Sequence, residues 1–189
     1  MPHKFHPEHA KHLDSIVRKV LFPPLKILNT IGIKSNDIFL DIGAGTGFFA
    51  IPASHMLTYG KVIATDTQEE MLQLLSHKIK QQNINNIEII HSSENGPSLP
   101  EESVTFAFMS FVLHEVQNKP EMLLNIHRAL KKGCRLAIIE FSKYAIFGPP
   151  KSERISPEYV KKLLEETGFT RITVKKLTMF TYVALAFKQ

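Results

Sequence analysis

The chain is predicted to fold as an α/β, Rossmann-like three-layer sandwich on three observations. Between residues 37 and 141, short β-rich runs alternate with segments of helical period, the pattern that places helices on both faces of a parallel sheet. The first strand, Ile38 to Ile42, runs directly into glycines at 43, 45 and 47. The last two β-like runs, Arg171 to Leu177 and Phe180 to Phe187, are too close for a helical crossover and should pair antiparallel.

Each element has its own signal. Lys61 to Thr65 forms a second strand ending at Asp66, and Thr67-Gln68-Glu69-Glu70 has the form of a capping box opening the next helix, whose Met71, Leu74, Leu75 and Ile79 face the sheet. Asn86 to Ile90 and Val104 to Met109 read as the third and fourth strands. Pro120 suits the first turn of a helix with Leu123, Ile126 and Leu130 on one face, and Gly133 is expected just beyond its end. Arg135 to Phe141 is a fifth strand. Gly148-Pro149-Pro150 breaks regular structure, and Ser156-Pro157 starts a helix that Gly168 ends. Upstream, Pro7 to Val20 and Pro24 to Ile31 read as short helices. The 189 residues suit a single domain: a helical lid segment over 1–32, a cofactor-binding core over 33–142, and a loop, helix and terminal hairpin over 143–189.

Composition narrows the function class. No apolar run approaches the roughly 20 residues of a membrane span. The single Cys134 cannot form an internal disulfide, and the amino terminus lacks an apolar leader stretch, so a cytoplasmic setting is expected. The net charge of +5 divides unevenly: Lys and Arg outnumber acids five to two over residues 1–26 and nine to four over 143–189, whereas the middle holds nine against twelve. No nucleic-acid partner is expected from that distribution. The basic ends, with Lys143, Lys151, Arg154, Lys161 and Lys162, would either draw an anionic substrate or serve as solvated faces.

The chemistry lies in the acidic middle. Gly43, Gly45 and Gly47 permit a tight strand-to-helix turn and let a ligand approach bare backbone. Gly45-x-Gly47-x-x-Ala50 also fits a dinucleotide fingerprint, with Asp66 at the expected distance. Charge separates the two readings, because Asp41 at the mouth of the strand would repel a pyrophosphate but favours the ammonium and sulfonium of S-adenosylmethionine. Asp66 can accept from both ribose hydroxyls in either case. Ser93 and Glu94, past the third strand, are placed to reach an adenine amino group.

Leu40-Asp41-Ile42-Gly43-Ala44-Gly45-Thr46-Gly47 resembles motif I of the class I S-adenosylmethionine-dependent methyltransferases, and Ala64-Thr65-Asp66-Thr67-Gln68-Glu69-Glu70-Met71-Leu72 resembles the motif that follows it. The likeness continues through Ser98 to Val104, Phe108 to His114 and His127 to Gly133, covers about residues 25 to 188, and is strongest toward the ubiquinone/menaquinone branch. It implies a seven-stranded, mostly parallel sheet with an antiparallel last strand. It also implies a cofactor-facing set of Asp41, Gly43, Gly45, Gly47, Asp66, Thr67, Ser93, Glu94 and Ser110. Where many relatives carry an adenine-binding aspartate, this chain has Ser93, with Glu94 beside it.

Methyl transfer needs alignment and exclusion of water, and a base only when the acceptor arrives protonated. His114, after the fourth strand, is the catalytic candidate, or else a packing residue. Glu115, Glu140 and Tyr144 are weaker candidates, and Glu140 is expected to pair with a nearby base. Tyr144, Ile146 and Phe147 offer a wall for a flat or oily acceptor, or a cover for the sheet edge. His3, His6, His9 and His12 recur every third residue, a spacing that spreads side chains by about 60° per step around a helix, so a lid segment is favoured over a metal site. With no long insertion, a small-molecule acceptor is expected. A dinucleotide oxidoreductase and a non-catalytic S-adenosylmethionine-binding module remain the alternatives.

Overall fold

The sheet is built outward from two buried strands. In the computed structural model, which describes residues 16–189, β1 (Ile38–Ile42) lies between β2 (Lys61–Asp66) and β4 (Val104–Ser110). β3 (Ile87–His91) flanks β2, while β5 (Leu130–Phe141), β7 (Thr181–Phe187) and β6 (Thr170–Lys176) extend the other side in that order. Every pairing among β1 to β5 is parallel, and β7 runs antiparallel to both β5 and β6. The seven-stranded sheet with one reversed strand is the expected one. The N-terminal histidines and the first part of the expected Pro7 to Val20 helix lie outside the described residues.

Strand alternation sorts the core into two layers, because successive side chains leave a strand on opposite faces. Phe39, Val62, Ala64, Phe106 and Phe108 pack on one side with Leu28 of α2 (Pro24–Ile31), Ala53 of α3 (Ala50–Met56) and Leu75 of α4 (Glu69–Gln81). Leu40, Ile42, Ala107 and Met109 pack on the other with Leu123 and Ile126 of α5 (Lys119–Ala129) and Leu163 and Leu164 of α6 (Pro157–Glu166). A short α1 (Ile16–Leu21) precedes α2. Thr105 bolts the central pair: its hydroxyl accepts from the Ile38 amide at 2.9 Å and donates to Asp37 at 2.7 Å.

Two local expectations are overturned. α4 begins at Glu69 with Gln68 as its N-cap and no side-chain capping bond, so Thr67 and Glu70 form no capping box. The Asp66 carboxylate takes the Gln68 amide instead, at 3.0 Å. Gly133 does not close α5, which ends at Ala129 and passes straight into β5. The register against β4 jumps from Leu130 to Arg135, so Lys131 to Cys134 bulge outward. The carbonyls at the end of α5 are met by Lys188, whose Nζ donates to Leu130 at 2.7 Å and Arg128 at 3.3 Å. The expected cap of α6 is present, with Ser156 accepting from the Tyr159 amide at 3.2 Å.

Gly47 is held by packing. Its φ is +88°, and a Cβ there would fall 2.4 Å from Leu75 Cδ1. Gly47→Ala combines a strained backbone with overpacking and is expected to cost about 2–4 kcal/mol in stability, measurable by urea unfolding.

Candidate active site

A cavity of about 710 Å³ opens at the carboxyl ends of the parallel strands, where open α/β sheets bind ligands and within the usual size of a small-molecule site. Asp41, Gly43, Gly45, Asp66, Thr67, Glu94, Ser110 and His114 of the expected set line it. Gly47 and Ser93 do not. Gly47 backs onto Ile51 and Leu75, and the Ser93 hydroxyl donates to the Gly96 carbonyl at 3.1 Å, closing a small turn. Ser92 and Glu94 face the cavity on either side of it.

The glycine turn and the end of β2 are tied together. Asp66 accepts from the Gly45 amide at 2.8 Å and from the Gln68 amide through its other oxygen, so each carboxylate oxygen keeps a lone pair for a ligand hydroxyl. Lys78 of α4 donates to the Thr46 carbonyl at 2.9 Å and fixes the turn from behind. At Gly43, φ is +68° and a Cβ would stand 2.3 Å from Val112 Cγ2, so the backbone there is bare by necessity. Gly43→Ala is expected to weaken cofactor binding at least about tenfold by pushing Val112 into the site, as read by calorimetric titration with S-adenosylhomocysteine.

Asp41 is 2% exposed, and its Oδ2 has no hydrogen-bond partner. Burial, reinforced by the nearby charge of Asp66, pushes its pKa up to about 8, against the opposing pull of Arg18 and of a hydrogen bond with the Ala50 backbone. Ser110 Oγ is likewise buried without a partner. Orphaned polar atoms are costly in a folded protein, and these two border a cavity. They fit a ligand carrying both a cation and hydrogen-bonding groups.

At the far side, the His114 ring Nδ1 lies 2.9 and 3.1 Å from the two oxygens of Glu140, which also accepts from the His114 amide at 3.1 Å. Glu140 is 1% exposed on β5, adjacent to β4 in the sheet, and this pairing fulfils the expectation for it. Nε2 is 3.8 Å from Glu115. Burial alone would lower the His114 pKa. The hydrogen bond and charge of Glu140, with Glu115 and Glu153 adding to them, overcome that effect and raise it above the ordinary 6.5.

An aromatic wall stands beside this pair, and sequence reading found only part of it. Phe111, in the left-handed region at φ +60°, stacks on Phe141 with centroids 4.3 Å apart and meets Phe22 edge-on at 5.0 Å. Phe147 was expected in the wall and lines the cavity, whereas Tyr144 and Ile146 are exposed and do not. Arg18, over the Phe48 ring at 4.2 Å, is also a lining residue. Of the basic tail residues, Lys161 and Lys162 pair with Glu165 and Glu166 on the exposed face of α6.

Fold and cradle together have the architecture of the Rossmann-like class of S-adenosylmethionine-dependent methyltransferases. The chain belongs to the ubiE/COQ5 methyltransferase family, whose family model matches residues 21–184. It is 30% identical over 155 residues to the ubiquinone/menaquinone biosynthesis C-methyltransferase UbiE of Francisella tularensis subsp. novicida (strain U112), covering 81% of this chain and 60% of that protein. Against UbiE of Marinomonas sp. (strain MWYL1), identity is 30% over 130 residues, 68% of this chain and 49% of the relative. The chain thus spans about half to three-fifths of these curated relatives. The crystal structure of a SAM-dependent methyltransferase from Aquifex aeolicus superposes with a TM-score of 0.92 at 35% identity, covering 98% of this chain and 100% of that one. A Haemonchus contortus phosphoethanolamine N-methyltransferase 2, at 15% identity and a TM-score of 0.78 over 95% of this chain and 57% of its own, shares the fold. These likenesses displace the dinucleotide reading, as does Gly47 facing away from the cavity. Among the described residues, no helix is long and apolar enough to cross a membrane, and no group of three or more His, Cys, Asp or Glu is placed to hold a metal.

Proposed function

We propose that this chain transfers a methyl group from S-adenosylmethionine to a flat, largely apolar small molecule whose reacting atom arrives protonated, and that it does so in the cytoplasm. One observation carries the reading: a single cavity joins Asp41, whose Oδ2 is buried without a partner, to a histidine already oriented by a buried glutamate. When bound, S-adenosylmethionine supplies an electrophilic methyl on a sulfonium. Asp41 would hold its ammonium, and Asp66 would accept from the ribose hydroxyls through the lone pairs left after Gly45 and Gln68 are served. Glu94 and Ser92, which line the cavity where Ser93 does not, would contact the adenine.

Glu140 accepts a hydrogen bond from Nδ1–H of His114 and so fixes the tautomer in which Nε2 is the free base. That nitrogen would take the proton from the acceptor as the acceptor bonds the methyl carbon and the methyl–sulfur bond breaks, its electron pair leaving on sulfur as a neutral thioether. Phe22, Phe111, Phe141 and Phe147 hold a planar ring and keep water out. A ring on the way to a quinone, in keeping with the ubiquinone/menaquinone biosynthesis in the relatives' names, suits that wall. Arg18 and Phe22 at the cavity support a lid role for residues 1–32 over the 33–142 core, with 143–189 closing the acceptor side.

The test pairs calorimetric binding of S-adenosylmethionine, S-adenosylhomocysteine and NADH with transfer of labelled methyl to a panel of phenols and quinols. Binding of the first two and labelling of a ring acceptor is the expected result. Binding without labelling of any acceptor would leave a non-catalytic module, and binding of NADH alone would overturn the assignment.

A further inference from the structure

The nine residues 142–150, between β5 and the 3-10 turn at Lys151–Glu153, bring Phe147, Gly148, Pro149 and Pro150 to the cavity with little regular structure to hold them. Ser142 donates to Phe180 and Ala145 to Ser142, but among the described residues no amide of Ile146, Phe147 or Gly148 donates to another backbone carbonyl. Of these nine residues only Ala145 is buried, at 4% exposure, whereas Tyr144 is 69% and Ile146 83% exposed.

The carbonyls of this loop converge instead on one cation. Arg154 Nη1 donates to Ala145 at 2.7 Å and Nε to Pro149 at 3.0 Å, the two short bonds falling on either side of Phe147. Longer contacts reach Phe147 at 3.3 Å and Ser142 and Lys143 at 3.4 Å. No ion pair among the described residues involves Arg154. Its charge is directed to carbonyls, neither to a carboxylate nor to a substrate anion.

Resting on the methyl-transfer reading above, we infer that Arg154 is a positioning residue that fixes the 142–150 loop as the acceptor-side wall by gathering its backbone carbonyls around one guanidinium. Five N–H donors in a planar fork can bridge carbonyls spread over eight residues, whereas a lysine ammonium lacks that fork. The clamp sets the place of the Phe147 ring, 5.8 Å from Phe22, 6.0 Å from Phe141 and 5.1 Å from Phe180. Among the described residues the guanidinium bonds only to carbonyls of this loop, and not to Asp41, Asp66 or the glycine turn, so loosening it should affect the acceptor side alone.

The experiment compares wild type, Arg154→Lys, Arg154→Gln and Phe147→Ala by hydrogen exchange of the hydrogen-bonded amides of Tyr144 and Ala145, calorimetric titration with S-adenosylhomocysteine, and fluorescence titration with uncharged N-phenylnaphthylamine as an apolar probe of the acceptor space. For Arg154→Lys and Arg154→Gln, exchange is expected to speed up about tenfold or more as the loop opens locally. Probe affinity should fall about fivefold or more, while S-adenosylhomocysteine affinity stays within about twofold. Phe147→Ala should lose probe affinity without the faster exchange. Unchanged exchange in the lysine variant would overturn the inference, as would an equal loss of probe and S-adenosylhomocysteine affinity or the absence of saturable probe binding to wild type. A wild type that binds the probe but not S-adenosylhomocysteine would instead refute the methyl-transfer reading and leave the clamp measurable by exchange.

Discussion

Asp41→Asn is expected to make the empty protein more stable at neutral pH and to abolish useful affinity for the cofactor. The carboxyl is buried, its Oδ2 is unpartnered, and its pKa is raised from 3.8 to about 8. For an acid with a raised folded pKa, the stability contribution is complete below 3.8 and is lost as pH climbs toward 8, a change of several kcal/mol in order of magnitude. Asparagine does not ionise, so the variant should escape this alkaline loss, and urea titrations from pH 4 to 9 would show the two curves diverging. A neutral amide facing the cofactor's ammonium should cost about 100-fold or more in affinity.

The same carboxyl predicts a proton linkage. At pH 7 the empty site holds most of a proton on a group whose pKa burial pushes up to about 8, and a bound cation should expel it. The enthalpy of S-adenosylmethionine binding should therefore differ between phosphate and Tris buffers in wild type and lose that component in Asp41→Asn. Affinity should strengthen as pH rises toward 8. A buffer-independent enthalpy in wild type would count against the cation-holding role.

The second large effect concerns His114 and Glu140. His114→Gln is expected to lower kcat by about 100- to 10,000-fold, the range of general-base catalysis, with S-adenosylhomocysteine affinity little changed. In wild type the base is neutral only above a pKa raised beyond 6.5, so the rate should climb with pH on the alkaline side of that value. Glu140→Gln removes the main opposition to burial, and the rising limb should move to lower pH while the plateau rate falls. The pair's contribution to stability has the opposite pH sense: it is present below 6.5 and lost as pH rises through the raised value. A pH–rate profile with the same limb in Glu140→Gln would rule out Glu140 as the group that sets the base.

The sheet was legible because parallel strands buried on both faces must be apolar runs separated by helical crossovers, and Phe39 to Ile42 and Phe106 to Met109 have no other use. Asp41 and Asp66 were legible because they interrupt such runs at their ends. What escaped detection depends on distant partners. Thr67 and Glu70 fit a capping box, but the helix starts one residue later, with Gln68 as its N-cap and the Gln68 amide held by Asp66. Gly133 follows a helix like a terminator, yet Lys188 meets those carbonyls from the far end of the described chain. Glu140 was expected to have a basic partner, but only the β4 and β5 neighbourhood selects His114, 26 residues away. Arg154 resembled one more surface cation because its acceptors are main-chain oxygens, which carry no sequence signature.

The bolt between Ile38 and Thr105 spans 67 residues and sits at the centre of the sheet. Its consequence is kinetic. β1, β2 and β3 can assemble through short crossovers, forming the glycine turn and both aspartates as one early unit, whereas β4 must close a long loop to reach β1. His114 arrives only with that closure, and Glu140 only after β5 has followed. Cofactor affinity should therefore appear during refolding before turnover does.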